Sequence, residues 1–383
     1  MRGHIERRGK KSWRLKFDLG RDPATGRRQV RRVTVRGTRK DAEGELTRLL
    51  NTIGEGVYVE PSKLTVAEYL DQWLANVKAT VAPKTYERWE EICKKHLAVA
   101  LGAHPIKALA PLHIQAYYVA ALASGRRIGK GGLAPRTVHH HHRVLFQALR
   151  QAVRWRIIVH NPAADVDAPK VEATEILILD HNQVPVLLAA TKTTRLHVPT
   201  ILALNTGMRR GEVLGLRWPD IDLDGAGLTV NQALEQTKAG LRFKPPKSRS
   251  GRRRIALSPL TVEALRRHKL AQGKERLALG LGKNDAGLVF TTLDGDTINP
   301  RTFSKEFARI VKRAGLAGVT FHALRHTHLT QLLRDGVNPK VVSERAGHAS
   351  VAITLDLYAH VLPGMQEGAA LKVDAAWGKA LQD

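Results

Sequence analysis

The second half of this sequence carries a sparse set of residues able to do chemistry, and they are cations, imidazoles and a phenol. They are Arg209 in Thr206-Gly207-Met208-Arg209-Arg210-Gly211-Glu212, Lys247 in a basic turn, His322 and Arg325 in His322-Ala323-Leu324-Arg325, His348 after Gly347, and Tyr358. Such a set suits attack on a phosphodiester. Charge developing on the non-bridging oxygens needs fixed donors, and two planar guanidiniums with an imidazole supply them. A phenol attacks well once a base takes its proton or nearby cations favour the phenolate, and a lysine among cations is a plausible acid for the leaving alkoxide. The chain has no Gly-x-x-x-x-Gly-Lys-Ser/Thr loop, no His-Glu-x-x-His and no clear carboxylate cluster for two metal ions, so no metal, ATP or other cofactor is expected. Each residue alone has an ordinary reading. Arg209 could bond Glu212 at a helix start, His322 and Arg325 could be exposed at i,i+3, His348 could cap a helix, and Tyr358 could be core.

The charge of the chain points the same way. Its 383 residues hold 62 Lys+Arg against 35 Asp+Glu, a formal net charge of +27. With 43% hydrophobic and 25% charged residues the composition is that of folded domains, so the excess sits on folded surface and a polyanion is the natural partner. No run approaches the ~20 apolar residues that span a bilayer, and the basic start has no apolar signal region, so an intracellular, cytoplasmic protein without membrane contact is expected. The single cysteine, Cys93 beside Ile92, reads as a buried thiol and excludes internal disulfides and cysteine-based zinc sites.

The elements that must position these residues fall into three regions. In the first 40 residues there are fifteen Lys/Arg against Glu6, Asp18 and Asp22. Trp13, Leu15, Phe17 and Leu19 alternate with polar residues, a turn follows at Asp22-Pro23-Ala24-Thr25-Gly26, and Val30, Val33 and Val35 continue the strand signal. After Thr38 the spacing of Ala42, Leu46, Leu49, Leu50 and Ile53 predicts a helix that Gly54 and Gly56 end. The result is a small sheet on one helix, whose Arg14, Lys16, Arg31, Arg32 and Arg36 form a basic ribbon able to enter a DNA groove. From Leu64 to about Val159 the pattern is helical, opening on the capping box Thr65-x-x-Glu68. After Pro135, Val138, Leu145, Leu149 and Ala152 make an apolar face, while Arg136, Arg143, Arg150 and Arg154 share one stripe. The run His139 to His142 is split between faces, and consecutive helical residues cannot converge on one metal ion. A linker-like stretch to Thr174 leads to a second folded region from about Ile176, with helices, strand-like pieces at Leu228–Leu234 and Arg254–Leu257 around a basic turn, and helices again from Thr302.

Taken in order, the motifs resemble the tyrosine recombinase family, the phage-type integrases. The matching residues are Thr206 to Glu212 with Leu214-Gly215-Leu216-Arg217-Trp218-Pro219-Asp220, Pro246-Lys247-Ser248 before Arg252 to Leu257, His322 to Thr327, Ser343 to His348, and Thr354 to Val361. Ala346 and Ala323 depart from the usual pattern, at positions outside the proposed chemistry. The resemblance implies a multidomain fold: a small α+β arm-type DNA-binding domain at 1–57, an all-α core-site domain at 64–170, and a mainly α catalytic domain with a small antiparallel sheet at 175–383. It implies Tyr358 as nucleophile forming a 3′-phosphotyrosyl link, Arg209 and Arg325 as phosphate clamps, and His322 in proton transfer. Lys247 would protonate the 5′ oxygen, His348 would bond the phosphate, and Glu212 would orient Arg209. It further implies duplex attachment sites as partner, a homotetramer on DNA, and accessory DNA-bending or directionality proteins. The tail, with Leu371, Val373 and Trp377, docks on its own domain or on a neighbouring protomer, and the resemblance favours the latter. A topoisomerase with the same phosphotyrosine chemistry and a silent DNA-binding regulator are the competing readings.

Overall fold

The computed structural model describes residues 3–21, 26–54, 63–172, 177–246, 249–281, 287–358 and 365–381. The chain divides into two compact units, Met1–Ala173 and Thr174–Asp383.

The first unit holds two separate cores. Strands β1 (Gly3–Gly9), β2 (Ser12–Arg21) and β3 (Arg28–Arg36) form an antiparallel sheet in the order β1-β2-β3, followed by helix α1 (Arg39–Gly54). Period-two alternation sends Leu15 and Phe17 inward onto Ala42, Leu46 and Leu49 of α1. The opposite face carries Arg14 and Lys16, which pair with Thr34 and Arg32, and Ser12 pairs with Arg36. Arg31 pairs with Phe17 and so lies on the other face of the sheet from Arg14, Lys16, Arg32 and Arg36, which divides the expected ribbon between two faces.

The second core belongs to helices α2 (Val66–Val77), α3 (Pro83–Ile92), α4 (Ala98–Leu101), α5 (Pro111–Ser124) and α6 (Pro135–Arg154), with a π-helical turn at Cys93–Leu97 between α3 and α4. The expected capping box opens α2, with Thr65 accepting from the Glu68 backbone and Glu68 accepting from that of Thr65. On α6, Val138, Leu145, Leu149 and Ala152 are fully buried, whereas Arg136, Arg143, Arg150 and Arg154 are all exposed. His141 and His142 turn inward, each bonded through Nδ1 to a tyrosine hydroxyl of α5, Tyr117 at 2.7 Å and Tyr118 at 2.8 Å. Cys93 is buried, and burial pushes its thiol up to about 12.

The second unit packs helices around two small antiparallel sheets. Helices α7 (Gln183–Thr191), α8 (His197–Thr206) and α9 (Arg210–Leu214) come first. Strands β4 (Ile221–Asp222), β5 (Gly227–Val230) and β8 (Arg253–Ala256) make one sheet in the order β4-β5-β8, and β6 (Ala233–Thr237) with β7 (Gly240–Lys244) makes a separate hairpin. The sequence reading of Leu228–Leu234 as one strand is corrected here. Asn231 bonds Asp220 and Gln232 bonds the Gly215 carbonyl, diverting the chain between sheets. Helices α10 (Pro259–Ala278), α11 (Pro300–Arg313), α12 (Phe321–Arg334), α13 (Pro339–Ala346), α14 (Val351–Tyr358) and α15 (Met365–Leu381) complete the unit. Among the described residues no helix is long and apolar enough to cross a membrane.

Candidate active site

The site is built around the C-terminal end of α13. A helix leaves its last carbonyls without intrahelical donors, and that end attracts cations. Here three successive carbonyls each receive one arginine. Arg253 Nε donates to the Arg345 carbonyl at 2.7 Å, Arg325 Nη2 to Ala346 at 2.7 Å, and Arg209 Nη2 to Gly347 at the longer distance of 3.5 Å. Gly347 ends the helix in the left-handed region (φ 67°), where a Cβ would stand 2.9 Å from Arg253 Nη1 and 3.1 Å from the Ser250 carbonyl. Glycine is required there both by conformation and by space.

Each arginine is placed by its own element. Arg209 precedes α9, and Glu212 in the first turn accepts its backbone N–H at 2.9 Å and its Nη1 at 2.9 Å. Arg325 lies one turn into α12, after the Thr320 cap, and its Nη1 donates to the Gly207 carbonyl at 2.7 Å. It is only 2% exposed, so the reading of an exposed i,i+3 pair with His322 is wrong for the arginine. His322 itself is open to solvent. It lines a cleft of about 550 Å³ together with Arg209, Arg210, Gly211, Ser304 and Phe307.

Glu212 is the buried counter-charge of the cluster. Besides Arg209 it accepts from Arg253 Nη2 at 2.9 Å and Nη1 at 3.3 Å, and both side chains of that pair are 6% exposed. Burial pushes the Glu212 carboxyl up, but the Arg253 and Arg209 hydrogen bonds and charges outweigh it and hold the group below the ordinary carboxylate value. Two guanidiniums, those of Arg253 and Arg209, therefore share this one carboxylate, which leaves positive charge in the pocket to match a phosphate.

Burial first, and the same field second, lower the pKa of both imidazoles. Packing around His322 and the charges of Arg325, Arg209 and Arg210 lower its pKa, while burial with Arg325, Arg209 and Arg253 pushes His348 down to about 4. The His348 backbone helps cap α13, its N–H donating to the Ser343 carbonyl at 3.0 Å, while its Nδ1 bonds Thr354 Oγ1 at 2.8 Å. Thr354 is fully buried on α14, one turn before Tyr358, which is the last residue of that helix. Lys247 lies outside the described residues. Of the basic residues on the same turn, Lys244 is bonded to Glu235 and Arg252 Nε donates to Asn231 Oδ1 at 2.9 Å.

Arg253, Arg345 and Thr354 are participants that sequence reasoning missed. Arg345 donates from Nε to His328 Nε2 at 3.0 Å and from Nη2 to the carbonyls of Asn205 at 2.8 Å and Ala256 at 3.1 Å, tying α13 to α12, α8 and β8. Their only sequence signal is their neighbourhood: Arg253 sits in a basic run before a strand, Arg345 and Thr354 flank Gly347-His348.

Comparison with known proteins agrees with this geometry. The profile of the phage integrase family matches residues 178–364, and that of the phage integrase N-terminal SAM-like domain matches residues 65–122. Among curated proteins, the "Tyrosine recombinase XerC-like" protein of Caldanaerobacter subterraneus is 29% identical, the match covering 94% of this chain and 95% of that one. The "ICEBs1 integrase" of Bacillus subtilis is 24% identical over 94% of this chain and 96% of its own length. Among solved structures, the Tn1549 transposon integrase in complex with a circular intermediate DNA aligns with TM-score 0.68 at 21% identity, covering 81% of this chain and 99% of that chain. A lambda integrase tetramer bound to a Holliday junction aligns with TM-score 0.56 at 21% identity, over 90% of this chain and 95% of that one. These structural likenesses establish the fold, and the two family profiles fall on the helical core of the first unit and on the unit that holds the arginine cluster. By those two profiles the chain belongs to the tyrosine recombinase family, the phage-type integrases.

Proposed function

We propose that the arginine cluster at the end of α13 is the catalytic centre of a site-specific recombinase, an integrase of a phage or other mobile element. It cuts and rejoins DNA strands through a 3′-phosphotyrosyl intermediate without metal or ATP. The observation that carries this reading is the convergence of Arg209 and Arg325, from distant parts of the chain, on adjacent carbonyls of one helix end beside two neutral imidazoles.

In this reading the Tyr358 oxygen attacks the scissile phosphorus, the P–O5′ bond breaks, and the phosphoryl group stays on the 3′ strand as a phosphotyrosine. Arg209 and Arg325 exchange their carbonyl partners for non-bridging oxygens and hold the charge that develops there. His322, neutral and facing the cleft, takes part in moving the tyrosine proton. His348 turns Nε2 to the phosphate, because Nδ1 is held by Thr354. Lys247 delivers a proton to the 5′ oxygen, and the engagement of Lys244 and Arg252 supports that choice among its neighbours. Glu212 positions Arg209. Rejoining is the reverse: a 5′-hydroxyl attacks the phosphotyrosine, and the stored bond makes ATP unnecessary.

The partner is duplex DNA. Residues 1–57 serve as the arm-type domain, with Arg14, Lys16, Arg32 and Arg36 on the open face of the sheet. Residues 64–170 serve as the core-site domain, with Arg136, Arg143, Arg150 and Arg154 on the duplex, and residues 175–383 do the chemistry. On α15, Leu371, Val373 and Trp377 are exposed, which suits docking on a neighbouring protomer of a tetramer on DNA. Wild-type protein incubated with a nicked attachment-site duplex is expected to yield a covalent adduct that survives EDTA, and Tyr358→Phe to bind that duplex without forming one. An adduct from the variant, or its loss on chelation, would refute the nucleophile or the metal-free step respectively.

A further inference from the structure

The loop between α5 and α6, residues 125–132, is built to hold an isoleucine out in water. Ile128 is 92% exposed, the most exposed large apolar side chain among the described residues, and Arg126, Arg127 and Lys130 around it are exposed as well. Hydrogen bonds hold the loop in shape. Arg126 N donates to the Gly131 carbonyl at 3.2 Å, Arg126 Nε to Gly132 at 3.0 Å, and Leu133 N to Ala121 at 2.8 Å. Gly132 lies so close to the end of α5 that a Cβ there would fall 1.5 Å from the Leu122 carbonyl, and Gly129 and Gly131 take left-handed φ values of 84° and 100°. A chain restrained in this way presents its tip at little further entropic cost on binding.

The cations of the loop lie near other charges of the same unit. The charge of Arg127 acts on His96 in the π turn along with those of Arg88 and Lys95, and Arg88, Arg136 and Arg143 act on His140 of α6. The exposed isoleucine is thus ringed by cations in the same unit that carries the arginine stripe of α6. Three cations around it repel a second copy of this +27 chain and disfavour an apolar protein surface, while they match phosphates on either side of a groove.

We propose that this loop is a DNA-bending wedge: Ile128 enters between two base pairs from the minor groove while Arg126, Arg127 and Lys130 hold the flanking phosphates. Apolar side chains inserted in this way unstack a base step and kink the duplex, most easily at flexible pyrimidine–purine steps. Bending would bring the duplex around the arginine stripe of α6. The inference rests on the DNA-recombinase reading for its ligand, and adds a residue that shapes the DNA without touching the reaction.

The test uses the full chain and an attachment-site duplex carrying a donor and an acceptor dye at its ends, with 2-aminopurine placed in turn at each step. Wild type is expected to raise energy transfer and to brighten 2-aminopurine at one step. Ile128→Ala should abolish both signals and weaken binding about five- to tenfold, with covalent adduct still formed and the melting temperature unchanged. The triple variant R126Q/R127Q/K130Q should lower the slope of log affinity against log salt by about 3. The proposal is overturned if Ile128→Ala leaves the bend and the fluorescence intact, or if its effect is instead on self-association in the absence of DNA. Bending is read independently of cleavage, so loss of the wedge with adduct formation intact rejects only the wedge. A duplex bent through Ile128 without any adduct supports the wedge and rejects the recombinase reading.

Discussion

Replacing Glu212 by Gln keeps the shape of the side chain and removes the one carboxylate that the arginine cluster encloses. The partner that matters for stability is Arg253. Both members of that pair are 6% exposed, whereas the Arg209 side chain is 42% exposed and its share is screened by solvent. Removing one member of a buried ion pair costs about 3 to 5 kcal/mol, because the remaining charge is stranded. For a domain of this size each kcal/mol shifts the melting temperature by roughly 2 to 4 °C, so the transition of the catalytic unit should fall by about 6 °C or more. Arg209 also loses its anchor, and a displacement of one phosphate ligand by about 1 Å costs on the order of a hundredfold in the chemical step. DNA affinity, set by phosphate contacts elsewhere, should hardly change. Calorimetry and single-turnover cleavage of a nicked duplex measure both effects. Pairing the change with Arg253→Met removes both charges, and the double variant should be more stable than the sum of the single losses. A Glu212→Gln protein that melts within about 1 °C of wild type and cleaves at the wild-type rate would refute the account of this carboxylate as the counter-charge.

Other expectations follow from the same structure. His141, His326, His328 and His348 are each pushed down to about 4 by burial and neighbouring charge. Between that value and the ordinary 6.5 the unfolded chain binds more protons, so stability should fall as pH drops from about 6.5 towards 4, the buried His141 and His328 each contributing up to about 1.4 kcal/mol per pH unit. A melting temperature that stays flat over this window would contradict the neutral, buried imidazoles. Arg143→Gln with Arg150→Gln should reduce the salt slope of DNA binding by roughly 2 while leaving the fold intact; an unchanged slope would take the α6 stripe off the duplex. Removing residues 1–57 should weaken binding to accessory sites and leave core-site cleavage measurable, and loss of both would show that the first sheet is not a separable module.

Much of this was legible in the sequence because it is local. The alternation of Leu15 and Phe17, the period of α6, the capping box of α2 and the Arg209–Glu212 pair all depend on residues within a few positions of one another. The parts that were not legible depend on distant residues. Nothing near Arg253 indicates that its guanidinium reaches both Glu212 and the end of α13, and Thr354 meets His348 only because α13 and α14 fold together. Helix α10 was missed for a different reason. Its inward side offers Thr261, Leu265 and Gln272 while Leu260, Leu270 and Leu277 face solvent, so no apolar stripe marks it. Gln272 is buried because Trp218 Nε1 donates to its Oε1 at 2.7 Å and its amide reaches the Val289 carbonyl at 3.1 Å, contacts that periodicity cannot reveal. The division of the first basic run between two faces was not legible either, because it depends on the register in which Arg31 meets Phe17.

The central claim is that a single phenol, Tyr358, carries the DNA. The chain has six tyrosines, and three are set apart by structure: Tyr69, Tyr117 and Tyr118 are buried, hydrogen-bonded and raised in pKa by burial, which suits them poorly as nucleophiles. Digestion of the trapped adduct with protease and nuclease, followed by mass spectrometry, locates the nucleotide directly. The account predicts one modified peptide, containing Tyr358 linked to a 3′-phosphate, formed equally in the presence of EDTA. A nucleotide on any other residue, or on a 5′-phosphate, would contradict it.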